Sequence, residues 1–172
     1  MKKVKTKTVS NKLGLILIAV LFCVSVVYGQ PSLPTRSIEV VATQPLHFGI
    51  FVDTGVGGSV TVGWDGSRTA NGGIVLLNFL PYAQPAIFEI ELLQGRSVHI
   101  DFSASATLTG NRGGSLILSI GPTDKGNNGL FFPTSNDRKF ITTLRVGGTL
   151  DIPIATIPGT YTGNFYITFN QE

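Results

Sequence analysis

Beyond residue 29 the chain alternates. Ile38, Val40 and Ala42 are interleaved with Glu39, Val41 and Thr43; Val60, Val62 and Trp64 with Thr61 and Gly63. Phe88, Ile90 and Leu92 flank Glu89 and Glu91, and Val98, Ile100 and Phe102 flank His99 and Asp101. Leu116, Leu118 and Ile120, then Leu150, Ile152 and Ile154, repeat the pattern. Near the end, "PGTYTGNFYITF" (Pro158–Phe169) puts Tyr161, Gly163, Phe165, Ile167 and Phe169 on one side and Thr162, Asn164, Tyr166 and Thr168 on the other. Successive side chains of a strand point to opposite faces, so each run reads as a strand with one buried and one wetter face. No helical stretch competes. Short strands separated by turn residues predict an all-β sandwich or barrel.

Glycine and proline mark where the strands break. Gly-Gly pairs at Gly57-Gly58, Gly72-Gly73, Gly113-Gly114 and Gly147-Gly148 each precede a β-prone run, which predicts positive φ at strand starts. Their uneven spacing argues against a solenoid, which needs a fixed period. Asp65-Gly66 predicts a two-residue hairpin turn. Pro153 lies inside an alternating run and cannot donate to a ladder, so an edge or bulged strand is expected there.

The first 29 residues read differently. Lys2, Lys3, Lys5, Lys7 and Lys12 precede an apolar run from Leu13 to Tyr28, and Val27 and Gly29 suit a cleavage before Gln30. Basic start, greasy centre and small-residue exit make a secretory signal peptide. The run is 16 residues long, short of the roughly 20 of a spanning helix. Phe22 before Cys23 argues against a lipoprotein anchor. The expected organisation is therefore a signal peptide at 1–29 and one domain at 30–172. The mature chain keeps 8 basic against 10 acidic residues, a net charge of −2, so the basic balance of the whole chain belongs to the leader. That gives no support to a nucleic-acid partner. The single cysteine, Cys23, leaves with the leader, and the exported domain must live on its core without disulfides or thiolate metal sites. Export to the periplasm, the outer-membrane surface or the medium is expected, with no membrane span after cleavage.

Candidate chemistry is sparse. "FVDTGVGGS" (Phe51–Ser59) carries the Asp-Thr-Gly with which aspartic proteases present a carboxylate, and single-motif versions act as dimers sharing one proton. Against this, Val56 stands where those enzymes carry Ser or Thr, and the competing reading is a glycine-rich turn capped by Asp53. His47 and His99 read as outward-facing histidines. Asp124, Asn127 and Asn128 have the composition of a calcium loop without its ligand alternation or closing glutamate, so a plain polar turn is expected. Glu89 and Glu91 share a strand face at about 7 Å by strand rise. Such a pair can hydrolyse glycosides, but a solvated face that discourages edge pairing is the commoner outcome. Phe79, Tyr82 and Tyr166 are aromatics that either stack on a ligand or pin a loop to the domain. No catalytic, cofactor or metal residues are assigned, and no cofactor is expected.

"LHFGIF" (Leu46–Phe51), "GGSVTVGWDGSRTANGGIVLL" (Gly57–Leu77) and "VGGTLDIPIATIPGTYTGNFYITF" (Val146–Phe169) together resemble a bacterial secreted family, the domain of unknown function 4402. The shared signatures are an early L-x-F-G strand, a D-G-x-R-x-x-x-G-G hairpin and a closing P-G-x-Y-x-G strand. The resemblance implies an immunoglobulin-like, pilin-related antiparallel β-sandwich. It implies a non-enzymatic structural or adhesive subunit, of a fimbria-like surface assembly, and it transfers no catalytic residues. A secreted binding module for glycan or protein is the alternative, and a dimeric aspartic protease using Asp53 the remote one. Partners, on this reading, are other copies or assembly subunits that join by strand pairing. Arg36–Gln44 can either complete its own chain's sheet or be donated to a neighbour, and the self-complete fold is preferred.

Overall fold

The computed structural model describes residues 37–93, 97–126, 131–133 and 139–171. The expected signal peptide and the segment up to residue 36 lie outside the described residues, as do Asn127 and Asn128. The described chain contains no helix. Its strands are β1 (Ser37–Gln44), β2 (Ile50–Val62), β3 (Arg68–Leu77), β4 (Ala86–Leu93), β5 (Ser97–Phe102), β6 (Ser105–Gly110), β7 (Ser115–Thr123), β8 (Phe131–Pro133), β9 (Lys139–Ile152), β10 (Tyr161–Thr162) and β11 (Ile167–Gln171). Every ladder between them is antiparallel. The all-β expectation holds.

The spine of the larger sheet is β9. Its first part, Lys139–Val146, pairs with β4, which in turn pairs with β1. Its second part, Gly148–Ile152, pairs with β2, and β2 pairs with β3. On its other edge β7 pairs with Val146–Asp151 and leads to β6 and β10. Thr149 thus has Thr61 on one side and Ser119 on the other. The hand-over from β4 to β2 falls at Gly147. A Cβ there would stand 2.5 Å from the Val62 carbonyl oxygen and 2.9 Å from the Trp64 nitrogen, so only glycine admits the end of β2 so close.

The alternation read from the sequence is the burial pattern. Val60 and Val62, Ile90 and Leu92, Leu116 and Leu118, Leu144 and Val146, and Leu150 and Ile152 are all buried in one core. The second sheet, in the order β11-β5-β8, contributes Val98, Ile100 and Phe102 to the same core. Phe88 of β4 joins the two sheets. Its ring meets Phe165 edge-on at 6.3 Å and Phe169 at 6.4 Å between centroids, separations at which aromatic pairs attract beyond their buried area.

Four local expectations need correction. The closing segment is not one strand: Tyr161–Thr162 pairs with β6, and Ile167–Gln171 crosses over to pair with β5. Its alternation survives the crossing, because Tyr161, Phe165, Ile167 and Phe169 all pack on the core. Pro153 is neither on an edge nor in a bulge; it ends β9, a central strand, at Ile152. The turn around Asp65-Gly66 is longer than two residues, since the closing backbone bond runs from the Gly63 N–H to the Ser67 carbonyl. Gly66 takes the positive φ of 84° that such a three-residue turn requires. Finally, only Gly113-Gly114 precedes a strand; the other three Gly-Gly pairs lie inside β2, β3 and β9.

Candidate functional site

The β2–β3 hairpin is the most unusual element. Ile50–Asp53 pairs with Ile74–Leu77, and Gly58–Val62 with Arg68–Gly72, but the register breaks between Asp53 and Gly58. Residues 54–57 have no counterpart on β3. At the break Gly58 lies opposite Gly72, whose φ is 72° and whose missing Cβ would stand 2.6 Å from the Gly57 carbonyl oxygen. Arg68 shows how far the hairpin bends there. Its guanidinium donates to the Leu77 carbonyl at 3.0 Å and to the Ile50 carbonyl at 2.8 Å. On a straight strand Arg68 and Leu77 would be about 30 Å apart. The hairpin therefore folds back on itself, and Arg68 bridges the two arms. Burial lowers the Arg68 pKa from its ordinary value, a group that stays charged regardless.

Asp53 sits in this bend. Its Oδ1 accepts the N–H groups of Gly55 at 2.9 Å and Gly57 at 3.0 Å. The Asp-Thr-Gly tripeptide is thus the start of a bulge inside a hairpin, and its carboxylate organises that bulge. Asp65 does the same at the hairpin tip. The Ser67 hydroxyl, then the Ser67 N–H, hold its pKa below the ordinary 3.8.

The other titratable candidates are scattered. His47 accepts the Gly49 N–H on Nδ1 at 2.8 Å, and its backbone pairs with Gln84 in both directions. It is half-buried, between Leu46 and Phe48, which both pack on the core. His99 lies in β5 with Asp101 on the same face, Nδ1 to Oδ2 at 3.2 Å. Asp124 accepts the Arg145 N–H at 2.8 Å, which ties the turn after β7 to β9. Glu89 and Glu91 project from β4 on the face away from the core, Glu91 directly beside Glu39 of β1 and bonded to Lys139 at 2.8 Å. Among the described residues no group of three or more His, Cys, Asp or Glu side chains could hold a metal ion. No helix among them is long and apolar enough to cross a membrane.

What the described surface does offer is apolar. Phe79, Leu80 and Tyr82 are 65%, 72% and 55% exposed in the loop that leaves β3. That loop starts beside Ile50, the partner of Leu77, and ends where Gln84 pairs with His47. The outer face of the adjoining arm carries Ile50, Val52 and Val75, all exposed, while Phe51 and Leu76 turn inward onto the core. Tyr166 is exposed too, in the crossing between β10 and β11. Alternation does not mark this arm, because "GIFV" and "IVLL" are apolar at every position and neither shows a polar face. An apolar run that no sheet covers on its second side was the available signal. Arg68, too, stands out in the sequence only as one letter of a hairpin signature.

Comparison with curated proteins and with solved structures gives no match. A family model does match, from residue 38 to residue 170, and on that match the chain belongs to the family described as Domain of unknown function (DUF4402).

Proposed function

We propose that the chain is an exported, non-enzymatic structural or adhesive subunit of a fimbria-like cell-surface assembly, and that its domain is an immunoglobulin-like sandwich related to pilins. The observation that carries this reading is that the sheets have open edges, two of them on longer strands of the large sheet. Among the described residues β1 has one ladder, to β4, and β3 has one ladder, to β2. A strand with a free edge turns unpaired N–H and C=O groups outward and binds another strand through them. The basic, apolar and small-residue pattern of residues 1–29 supports export as a signal peptide.

The reading is tested on the mature chain, Gln30–Glu172, and on a form lacking residues 30–44. Light scattering after size exclusion is expected to show association of the longer chain that rises with concentration. The truncated form is expected to unfold, because β1 covers the β4 edge carrying Ile90 and Leu92. Immunolabelling of intact cells is expected to find the protein at the surface. A chain that stays inside the cell and is monomeric at every concentration would remove the proposal.

A second reading rests on the exposure of Phe79 and Tyr82. Paired loop aromatics suit a binding module for glycan or protein. Binding to a glycan array that is lost in Phe79→Ala and Tyr82→Ala, with unchanged association state, would favour it.

A further inference from the structure

The β2–β3 hairpin carries two residues whose side-chain carbonyl carbon can be attacked by the nitrogen of a following glycine, and it treats them differently. At the hairpin tip Asp65 precedes Gly66. The Gly66 N–H donates to the Gly63 carbonyl at 3.0 Å, so the glycine nitrogen is engaged elsewhere. The Ser67 hydroxyl, then the Ser67 N–H, keep the Asp65 carboxyl group ionised at neutral pH, and a carboxylate is a poor electrophile.

In β3, Asn71 precedes Gly72. Here the Gly72 N–H donates to Oδ1 of Asn71 itself, at 2.8 Å. The atom bonded to that oxygen is the amide carbon Cγ, which is neutral and carries a leaving group. The Gly72 nitrogen is therefore held beside the carbon with which it can close a ring, and holding two reacting groups together removes the entropic part of a barrier. Both residues are exposed, so water reaches them. Gly72, at a φ of 72°, has no Cβ to obstruct the approach.

We infer that Asn71 is a self-modification site: in the folded chain the Gly72 nitrogen attacks Asn71 Cγ and turns the asparagine into aspartate and isoaspartate without an enzyme. In the first step the N–Cγ bond forms and the Cγ–Nδ2 bond breaks. Nδ2 leaves as ammonia, taking the proton of the Gly72 N–H, and a five-membered succinimide remains. Water then opens the ring. Cleavage between the nitrogen and Cγ leaves aspartate; cleavage between the nitrogen and the main-chain carbonyl carbon leaves isoaspartate, whose main chain is one methylene longer. An amide and a water become a carboxylic acid and ammonia, with no oxidation or reduction. The position gives this change a structural effect. Asn71 stands opposite Ser59, whose other neighbour is Asp151, so the new carboxylate adds a second negative charge to that row. The Asn71 carbonyl oxygen also occupies the place of the Cβ that Gly58 lacks. An added methylene falls where two backbones already meet closely, and isoaspartate loosens the hairpin at the Gly58–Gly72 pair.

The test incubates the mature chain in warm, mildly alkaline buffer and follows tryptic peptides by mass spectrometry. Asn71 falls in the peptide of residues 69–96. The other Asn-Gly of the chain, Asn128-Gly129, falls in that of residues 126–138, outside the described residues in part. The amide-to-acid mass gain is expected at Asn71, located by fragmentation, at a rate at least equal to that of the same chain unfolded in urea. Isoaspartate is expected at residue 71 and not at Asp65. Asn71→Gln, whose side chain closes only a six-membered ring, is expected to show no gain at that position; residue 71 is exposed, so the variant keeps its fold, checked by an unchanged urea midpoint in fresh protein. After incubation the wild-type midpoint is expected to fall and that of Asn71→Gln to hold. A folded chain that deamidates at Asn71 more slowly than the unfolded chain overturns the inference, because the strand then protects the residue. So does isoaspartate forming at Asp65 as fast as at residue 71. An equal fall in midpoint for Asn71→Gln removes the structural effect.

Discussion

Arg68 stabilises the fold through carbonyl groups rather than through a carboxylate. Two backbone oxygens, on residues at the far ends of two paired strands, converge on one planar guanidinium. Hydrogen bonds from a charged donor are worth more than neutral ones, and Arg68→Met is expected to cost about 2 kcal/mol, read from the shift in urea midpoint. Arg68→Lys should recover little, since an ammonium cannot fork between two carbonyls. Asp65, in the same hairpin, supplies a pH dependence of defined sign. Its pKa is lowered in the folded state, so its contribution is fully present above the ordinary value of 3.8 and fades as pH falls through the lower folded value. Between about pH 5 and about pH 3 the wild type should therefore lose more stability than Asp65→Ala, and equal slopes for the two proteins would remove this role. Both residues stand in the D-G-x-R signature, Asp65-Gly66-Ser67-Arg68. The turn at Asp65-Gly66 was legible in the sequence because its chemistry is local. The role of Arg68 was not, because it depends on a bend between residues nine positions apart.

At the scale of the element, that bend depends on glycine. Gly72 has positive φ and faces the Gly57 carbonyl and the Gly58 Cα, both backbone atoms that cannot rotate away. Gly66 also has positive φ, but nothing lies within 4 Å of the Cβ it lacks. The two glycines thus separate conformational strain from steric overlap. Gly66→Ala is expected to cost about 1 kcal/mol, the left-handed penalty of an ordinary residue. Gly72→Ala adds overlap with fixed backbone and is expected to cost about 3 kcal/mol or more. Equal midpoints for the two variants would mean that the hairpin relaxes where the structure holds it rigid. From the sequence, Gly57-Gly58 and Gly72-Gly73 were legible as interruptions. Their meeting across the hairpin, Gly58 opposite Gly72, was not. Pairing between strands is a long-range property, and identical dipeptides serve as a turn at Gly113-Gly114 and as a close approach inside a strand at Gly147-Gly148.

At the scale of the molecule, the two sheets share one core, and among the described residues no strand pairs with strands of both sheets. Side chains couple the sheets, Phe88 above all, whose ring in β4 meets two rings of the closing segment. The alternation of Phe165 and Phe169 announced an inward face, and it is inward; what that face would meet had no signature. The coupling makes a prediction about cooperativity. Phe88 is half-buried against the core, so its truncation is expected to cost about 2 kcal/mol, below the roughly 3 or more of a fully buried aromatic, and Phe88→Ala removes contacts to β11 without touching any backbone ladder. Amide exchange should then separate the molecule into two units. Amides of β5 and β11 are expected to exchange by a lower-energy opening than those of β2, β7 and β9, whose ladders surround Thr149. In the wild type the two sets should exchange together, because each sheet buries its apolar face on the other. If Phe88→Ala accelerates both sets equally, the sheets are coupled by the whole shared core, and the three-ring contact is only one part of it.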